Sequence, residues 1–338
     1  EDLIPRENSV VTLTHNGYIK RLAANTYRSQ KRGGRGVQGM GTNEDDFVEH
    51  LLSTSTHDTI LFFTSKGKVF RTKGYEIPEF GRTAKGLPIV NLLNIDKGEH
   101  VTAMIRVESY DEDAYFVFTT KLGLAKRTSV SQFANIRTSG LIAIGLREDD
   151  ELISVRLTDG KKQVIIGTHD GMLVRFKEDD IRAMGRTAAG VRGIKLREGD
   201  YVVDMEILEE GQEILVVTEK GYGKRTPESE YRLQSRGGVG IKTIQVTEKN
   251  GPMCAVKTVN GTEDVMLITI NGMLIRMDVN DVSVIGRSTQ GVRLIRLGED
   301  ELVATVARVN KDEVDVIRRR EEVSDLILGQ TIPKRLLK

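Results

Sequence analysis

The densest group of cations in the sequence is the segment Gln30-Lys31-Arg32-Gly33-Gly34-Arg35-Gly36, which Arg28 precedes. Lysine and arginine carry charge that attracts phosphate groups, and the planar guanidinium of arginine adds paired hydrogen bonds. The glycines let the backbone approach phosphate oxygens closely and expose its N–H groups. These residue types predict a phosphate-contact loop, with a flexible surface loop as the alternative.

Weaker versions of this segment recur along the chain, each with basic residues close to a glycine. They contain Arg82 and Lys85, Arg182 and Arg186, Arg232 and Arg236, and Arg287 and Arg293. Lysine and arginine number 50 and aspartate and glutamate number 49, so net charge alone predicts no polyanionic partner. Repetition would place these loops on one basic rim, with the acidic residues elsewhere. The predicted contact residues are residues 30–36, Arg28, Arg82, Lys85, Arg186, Arg236 and Arg287.

Composition argues against several other kinds of site. Aromatic residues make up 5% of the chain and tryptophan is absent, which disfavours a platform that stacks single-stranded bases. The single cysteine, Cys254, cannot form an internal disulfide and is predicted to be a small core residue. The five histidines are scattered without metal-ligand spacing. No carboxylate pair, nucleophile–base set or Walker loop recurs, so we expect no catalytic residue, metal or cofactor.

An internal repeat must position the basic loops. Six times, an apolar run leads into Thr-x-x-Gly and an arginine follows the glycine by four residues, at intervals of 48 to 56 residues. The turn glycines are Gly17, Gly67, Gly123, Gly171, Gly221 and Gly272. A second glycine follows each by 19 residues, or by 17 in the third unit, at Gly36, Gly86, Gly140, Gly190, Gly240 and Gly291.

Each unit is predicted to contain four β-strands. The apolar run and the residues after the turn glycine form a hairpin, because Asn-Gly and Asp-Gly pairs favour tight turns. A third strand follows the second glycine, and a fourth follows an acidic turn such as Gly199-Asp200. Four strands in about 50 residues, repeated six times, predict an all-β, propeller-like disk with six four-stranded blades. A linear β-solenoid is the alternative.

The repeat also sets the expected domain limits. The disk is predicted over residues 10–312, with units at 10–57, 58–111, 112–160, 161–210, 211–261 and 262–312. Residues 1–9 are interpreted as a linker from a missing part of a longer protein. Residues 313–338, with the basic clusters at 318–320 and 334–338, are expected to be a flexible tail, with a basic segment that contacts nucleic acid as the alternative.

The arginines that follow the turn glycines by four residues have two possible roles. They are Arg21, Arg71, Arg127, Arg175, Arg225 and Arg276. They share a strand face with mostly apolar residues, which is typical of a structural arginine that pairs with a carboxylate. A ring of guanidinium groups that face phosphates is the other interpretation, and the sequence does not decide between them.

The segment at residues 30–36 closely resembles the box that marks the C-terminal domain of the DNA gyrase A subunit. The six units resemble the six-bladed β-pinwheel of that family, from about residue 1 to residue 310. In this resemblance Lys31, Arg32 and Arg35 match the box cations, while Gly33, Gly34 and Gly36 match its glycines. Residues 234–240 of the fifth unit are a partial echo that keeps the glycines and loses two cations, which leaves their role open.

The resemblance implies a disk that wraps duplex DNA with a positive crossing and enables negative supercoiling. It implies an ATP-dependent type II topoisomerase as the parent protein, which would pair with the DNA gyrase B subunit in an A2B2 holoenzyme. ATP and Mg²⁺ would be used through the breakage domain and the partner subunit. The active-site tyrosine would lie in that breakage domain, and Tyr27-Arg28 is not its equivalent.

Two other classes of protein are compatible with parts of the pattern. The corresponding DNA-bending domain of topoisomerase IV typically has fewer blades and a degraded box, whereas a protein-binding propeller would not explain the basic loops. No apolar run approaches the roughly 18 residues of a membrane span. We expect a cytoplasmic protein associated with the chromosome, with no membrane contact, and a monomer when this domain is isolated.

Overall fold

The structure is a computed structural model that describes residues 2–23, 46, 48–81, 84–271 and 273–310. Each unit begins with a β-hairpin. The first hairpin strands are β1 (Asn8–Thr14), β4 (Thr59–Thr64), β8 (Tyr115–Thr120), β12 (Gln163–Thr168), β16 (Glu213–Thr218) and β20 (Glu263–Thr269). The second hairpin strands are β2 (Tyr18–Ala23), β5 (Lys68–Lys73), β9 (Leu124–Ser129), β13 (Met172–Lys177), β17 (Tyr222–Pro227) and β21 (Leu274–Asp278).

The repeated threonine and glycine close the hairpin turn together. In the first unit, the Gly17 N–H donates to the Thr14 carbonyl at 2.9 Å, and the Tyr18 N–H donates to Thr14 Oγ1 at 3.1 Å. Gly17 has a φ of +87°, which L-residues with a side chain rarely adopt. The same pair of bonds recurs at Thr64, Thr120, Thr168 and Thr218. The motif therefore encodes the turn.

Two further strands complete the pattern. The inner strands, which pair with the first hairpin strands, are β3 (Val48–Ser55), β7 (Val101–Val107), β11 (Leu152–Thr158), β15 (Val202–Leu208), β19 (Met253–Val259) and β23 (Val303–Asn310). Short strands follow the second glycines at β6 (Leu87–Pro88), β10 (Leu141–Ile142), β14 (Val191–Arg192), β18 (Ile241–Lys242) and β22 (Val292–Arg293). All pairings between these strands are antiparallel.

Each short strand is exchanged into the sheet of the preceding unit. The first sheet has the order β3-β1-β2-β6, and β6 comes after the second hairpin in the chain. The second glycine permits this close approach, because a Cβ on Gly190 would lie 2.5 Å from the carbonyl oxygen of Ala125 in the neighbouring unit. The sheet of the sixth unit, in the order β21-β20-β23, has three strands among the described residues. The unit limits thus describe the sequence repeat, whereas each four-stranded sheet takes its outermost strand from the following unit.

The hydrophobic core lies between adjacent sheets. Between the second and third units, Phe63, Phe116, Phe118 and Phe133 are fully buried, and Phe63 meets the other three rings edge to face. The centroids of Phe63 and Phe116 are 5.1 Å apart, within the range that favours such pairs. Each sheet is therefore held to its neighbours by apolar packing.

The inner strands of all six units surround one central cavity of about 670 Å³. The prediction of an all-β, six-bladed propeller-like disk is confirmed, and the linear solenoid is wrong. Between the strands, the helical segments of the described residues are single 3-10 turns at Gly74–Glu76, Ile89–Asn91, Val130–Phe133, Glu178–Asp180, Glu228–Glu230 and Val279–Asp281. Among these residues no helix combines the length and the apolar composition that a membrane span requires.

Candidate nucleic-acid interface

Several of the predicted contact residues lie outside the described part of the chain. These are the box at residues 30–36, Arg28 and Arg82. The tail at 313–338 also lies outside it. The structure does describe Lys85, Arg186, Arg236 and Arg287, each in the loop before a short strand.

The three arginines of this group make the same contact. In Arg186, Arg236 and Arg287, Nη1 donates to the backbone carbonyl of the second residue of the preceding unit's short strand. The acceptors are Ile142 at 3.2 Å, Arg192 at 3.1 Å and Lys242 at 2.9 Å. All three arginines are half-buried, and a guanidinium has five N–H donors, so donors remain for a second partner. These side chains therefore join neighbouring outer edges as well as carrying charge to the rim.

Tyrosine rings next to the hairpin turns hold other basic side chains of the rim. Lys85 Nζ lies 4.1 Å from the centroid of the Tyr18 ring. Arg293 lies over the ring of Tyr222 and donates to its hydroxyl at 2.9 Å through Nη2. Cation–π contacts of this kind orient a charged group without neutralising it.

The short strands carry cations that the sequence reasoning left out of the contact set. Arg192, Lys242 and Arg293 each stand two residues after the second glycine, on the outermost strand, and are exposed. The equivalent residues of the second and third units are Pro88 and Ile142, which are uncharged. The fixed offset from the glycine was a signal that could have found these cations. In the described residues this row of charge is confined to units four to six.

Two groups of exposed carboxylates lie in turns between an inner strand and the next hairpin. The exposed residues 111–113 separate β7 from β8, and the exposed Glu209 and Glu210 separate β15 from β16. The rim is not uniformly basic, however, because the exposed Asp179 and Asp180 precede the exposed Arg182 closely. Both signs of charge are therefore present near the outer edge, and the basic residues of the short strands are what recur there.

The arginines that follow the turn glycines are structural. In five units Nε donates to the protein. In three of these the acceptor is the carbonyl that ends the next unit's 3-10 turn: Ile77 for Arg21, Ile181 for Arg127 and Val282 for Arg225. Arg175 reaches the equivalent Tyr231 carbonyl through Nη1, and Arg71 reaches the Ala134 carbonyl. Arg225 is only 7% exposed and also pairs with Glu213 at 3.0 Å. Arg276 instead pairs with Asp264 of its own unit, and Arg71 is exposed. The other four guanidinium groups join one unit to the next.

A second charged group lies around the central cavity. Glu206 is 1% exposed and accepts hydrogen bonds from Arg156 of the third unit and Arg308 of the sixth, each at 3.0 Å. Lys257 of the fifth unit lies 3.4 Å away. Burial acts to raise the pKa of Glu206, but these three cations outweigh it and hold the pKa well below the usual range. The cavity cations are thus paired with protein carboxylates.

One group of side chains resembles a metal site but has a structural role. His169, Asp170 and Asp200 bring possible ligand atoms within 4.8 Å of one another. Asp200 Oδ1, however, accepts the N–H groups of Asp170 and Tyr201. In the first unit, Asp46 likewise accepts the N–H of Asn16 in the hairpin turn. The acidic residue therefore caps a turn. Cys254 is half-buried, and burial raises the pKa of its thiol, which matches the predicted packing role.

The repeated architecture agrees with one known family. Residues 8–55, 58–108, 114–159, 162–209, 212–251 and 263–310 match the family described as DNA gyrase C-terminal domain, beta-propeller. The chain belongs to this family. The resemblance inferred from the box and the six units is confirmed, and the six matched segments follow the six sequence repeats described above.

Two bacterial proteins with similar sequences support the same family. The DNA gyrase A subunit of Halalkalibacterium halodurans is 67% identical over 327 residues, which are 96% of this chain and 39% of that protein. The DNA gyrase A subunit of Staphylococcus aureus is 53% identical over 330 residues, which are 97% of this chain and 37% of that protein. The chain thus spans about two fifths of the length of these gyrase proteins.

Two solved structures share the fold. The C-terminal domain of DNA topoisomerase IV has a TM-score of 0.79 and is 25% identical, over 95% of this chain and 99% of that one. A DNA gyrase A C-terminal domain has a TM-score of 0.72 and is 28% identical, over 89% of this chain and 99% of that one. The shape of the disk is therefore common to the gyrase and topoisomerase IV domains.

Proposed function

We propose that this chain binds duplex DNA without sequence specificity and wraps it around the basic rim. The observation that carries the proposal is the row formed by Arg192, Lys242 and Arg293 on the outermost strands of successive sheets. Cations that recur at one radius of a disk suit a backbone that presents a phosphate at regular intervals. Family membership supports DNA rather than a protein as the partner.

The finer features of this function follow the family resemblance. We infer that the wrap has positive handedness, that the box at residues 30–36 fastens it, and that it enables negative supercoiling by a gyrase. The parent protein would be the gyrase A subunit, which would join the B subunit in an A2B2 enzyme and act on the chromosome in the cytoplasm. Strand breakage and the use of ATP and Mg²⁺ would belong to other parts of that enzyme.

The test is to seal a nicked plasmid with ligase while the purified chain is bound. A positive wrap traps positive crossings, so that the closed plasmid has a raised linking number after the protein is removed. Topoisomers resolved on chloroquine gels give both the sign and the size of the shift. A lowered linking number would contradict the handedness, and failure to retain duplex DNA would contradict the function itself.

A DNA-bending domain like that of topoisomerase IV is the second candidate, and the TM-score of 0.79 favours it as far as shape goes. Bending without a trapped crossing predicts DNA retention with no change in linking number. The same gels therefore separate the two candidates. A protein-binding propeller predicts no retention on DNA or heparin at all.

A further inference from the structure

Three lysines occupy an unusual place in the core. Lys20, Lys126 and Lys224 each follow the turn glycine by three residues, in the first, third and fifth units. Their exposed fractions are 5%, 0% and 0%. A buried amino group is costly unless it is fully hydrogen-bonded, so each of these lysines needs acceptors nearby.

Except for Ala143, which is in the same unit as Lys126, those acceptors belong to the basic loop of the following unit. Lys126 Nζ donates to the carbonyl of Arg186 at 2.5 Å and also to the carbonyl of Ala143. Lys224 Nζ donates to the carbonyls of Gly286 and Arg287, each at 2.7 Å. Lys20 Nζ donates to the carbonyl of Ala84 at 2.8 Å, one residue before Lys85. The lysines are thus directed at the backbone of the loops that carry the candidate contact residues.

The arrangement alternates around the disk. In the second, fourth and sixth units the equivalent positions hold the apolar residues Phe70, Val174 and Ile275. The loops that receive a lysine share a sequence of glycine, arginine and a hydroxyl residue, at 81–83, 185–187 and 286–288. The loop of the fifth unit at 234–240 lacks this sequence, and the preceding fourth unit has Val174 in place of the lysine. Units with a buried lysine at this position therefore alternate with units that have an apolar residue there.

The lysine fixes the arginine of the loop from its backbone side. Lys126 binds the Arg186 carbonyl, while the Arg186 guanidinium donates to the Ile142 carbonyl at 3.2 Å. Arg287 is held in the same way, by Lys224 at its carbonyl and by the Lys242 carbonyl at its guanidinium. Both ends of each arginine are anchored, which limits where its free N–H donors point.

We propose that Lys126 and Lys224 are positioning residues that hold the arginine-bearing loops of the fourth and sixth units against the rim for phosphate contact, and that Lys20, which binds the Ala84 carbonyl, is their counterpart in the first unit. The proposal rests on the proposed function for its DNA step. A pre-positioned guanidinium loses less conformational freedom when it binds a phosphate than a mobile one does. Loss of the lysine should therefore weaken DNA binding although the lysine itself touches no DNA.

The experiment substitutes Lys126→Met and Lys224→Met, separately and together, in the whole chain. Methionine preserves most of the buried volume, and circular dichroism with thermal unfolding verifies the fold. Hydrogen exchange over residues 185–190 and 286–291 reports loop anchoring without DNA, and binding to a duplex across a salt series reports the contact. We expect faster exchange in the matching loop, and a log–log salt slope that falls in magnitude by about 1 per released loop.

A double-mutant comparison separates positioning from general destabilisation. Lys126→Met should weaken DNA binding in the wild-type background and add nothing to Arg186→Ala, since both act through one side chain. Phe70→Leu, at the equivalent position of the second unit, is the matched control and should leave exchange at 185–190 unchanged. Additive losses of affinity, or unchanged exchange in the Lys126→Met protein, would overturn the proposal. If exchange is faster in the Lys126→Met protein but the wild-type chain does not bind duplex DNA, the proposed function is contradicted and the anchoring role of the lysine stands.

Discussion

The Nη2 atom of Arg308 lies 3.0 Å from Oε2 of Glu206, a residue 102 positions earlier in the chain. Glu206 also accepts from Arg156, so one buried carboxylate joins the inner strands of the third, fourth and sixth units. Lys257 brings the fifth unit into the same group. The centre of the disk is thus held together by charge, whereas adjacent sheets are held by apolar packing.

Replacing Glu206 should destabilise the fold strongly. Glu206→Gln removes the buried carboxylate that Arg156 and Arg308 share, whereas Lys257 keeps Asp204 at 3.1 Å. Breaking a buried ion pair costs up to about 3–5 kcal/mol, and the partial exposure of the two arginines places the expected loss at the lower end of that range. Denaturant unfolding measures the change. The control is Glu108→Gln, whose partner Arg106 is 42% exposed on its side chain and whose loss should cost at most about 1 kcal/mol. Equal stabilities of the two variants would contradict the role assigned to Glu206.

The box should control the geometry of the wrap more than affinity. Changing Lys31, Arg32 and Arg35 together to Ala should abolish the shift in linking number and, in a full-length gyrase, negative supercoiling. Much of the DNA affinity and the ATP-independent relaxation should survive, because Arg186, Arg192 and other rim cations remain.

A matched triple variant, Lys66→Ala with Lys97→Ala and Lys161→Ala, removes three exposed lysines that belong neither to the short strands nor to the loops before them. It should supercoil normally. A box variant that supercoils at the wild-type rate would refute the assignment of residues 30–36.

Binding should depend steeply on salt and hardly at all on sequence. If about 6 to 10 phosphates are neutralised, the log–log slope of affinity against salt is roughly −5 to −10. Fluorescence anisotropy with duplexes of unrelated sequence, between low and physiological salt, gives the slope. A shallow slope, or tighter binding to single strands than to duplexes, would count against a phosphate-led wrap.

The arginines that follow the turn glycines should affect stability, whereas the cations of the short strands should affect DNA affinity. Arg225→Ala leaves the Val282 carbonyl and Glu213 without their donor, so it should lower the free energy of unfolding by about 1–3 kcal/mol. DNA affinity of the folded protein should hardly change. Lys242→Ala removes an exposed rim cation and should do the reverse, weakening all duplexes alike at unchanged stability. Thermal unfolding and fluorescence anisotropy of both variants measure these effects. A loss of DNA affinity in Arg225→Ala together with a loss of stability in Lys242→Ala would contradict both assigned roles.

The titration of Lys126 should be visible in stability. Burial, with a smaller effect of the Arg186 charge, lowers the pKa of Lys126 from 10.5 to about 7. Between these values the unfolded chain binds one more proton than the folded chain, so this lysine makes stability rise with pH by up to about 1.4 kcal/mol per unit. Lys126→Met removes that contribution. Unfolding free energies of both proteins at pH 7.5 and 9.0 should therefore diverge, and parallel profiles would argue against a titrating Lys126.

The hairpins could be predicted because their determinants are local. Thr14 and Gly17 contact each other within one turn, and the same offsets recur in every unit. The exchange of the short strands was not predicted, since the partner of Val191 is Ala125, 66 residues earlier. Local alternation indicates a strand without indicating the sheet that receives it.

The roles of charged residues were harder to predict for the same reason. Arg127 and Arg186 are alike in sequence, but the first reaches the Ile181 carbonyl and a buried carboxylate, while the second lies at the rim. The role of Lys224 could not be predicted from the sequence, because its acceptors are backbone carbonyls 62 and 63 residues away, and a backbone carbonyl carries no sequence signal. Cations on the short strands were predictable in principle from their fixed offset, since Arg192 and Lys242 both stand two residues after a glycine.

The exchanged short strand also bears on how such a chain can change in length. A recombination event that removes or duplicates one whole repeat removes or adds one donated strand and one receiving sheet together. Every remaining second hairpin strand, such as β17, therefore keeps a short-strand partner, such as β22. A breakpoint between a hairpin and its short strand separates donor from recipient. It leaves an unpaired edge, which is a template for aggregation. Gain and loss of complete blades is thus the step that this architecture tolerates.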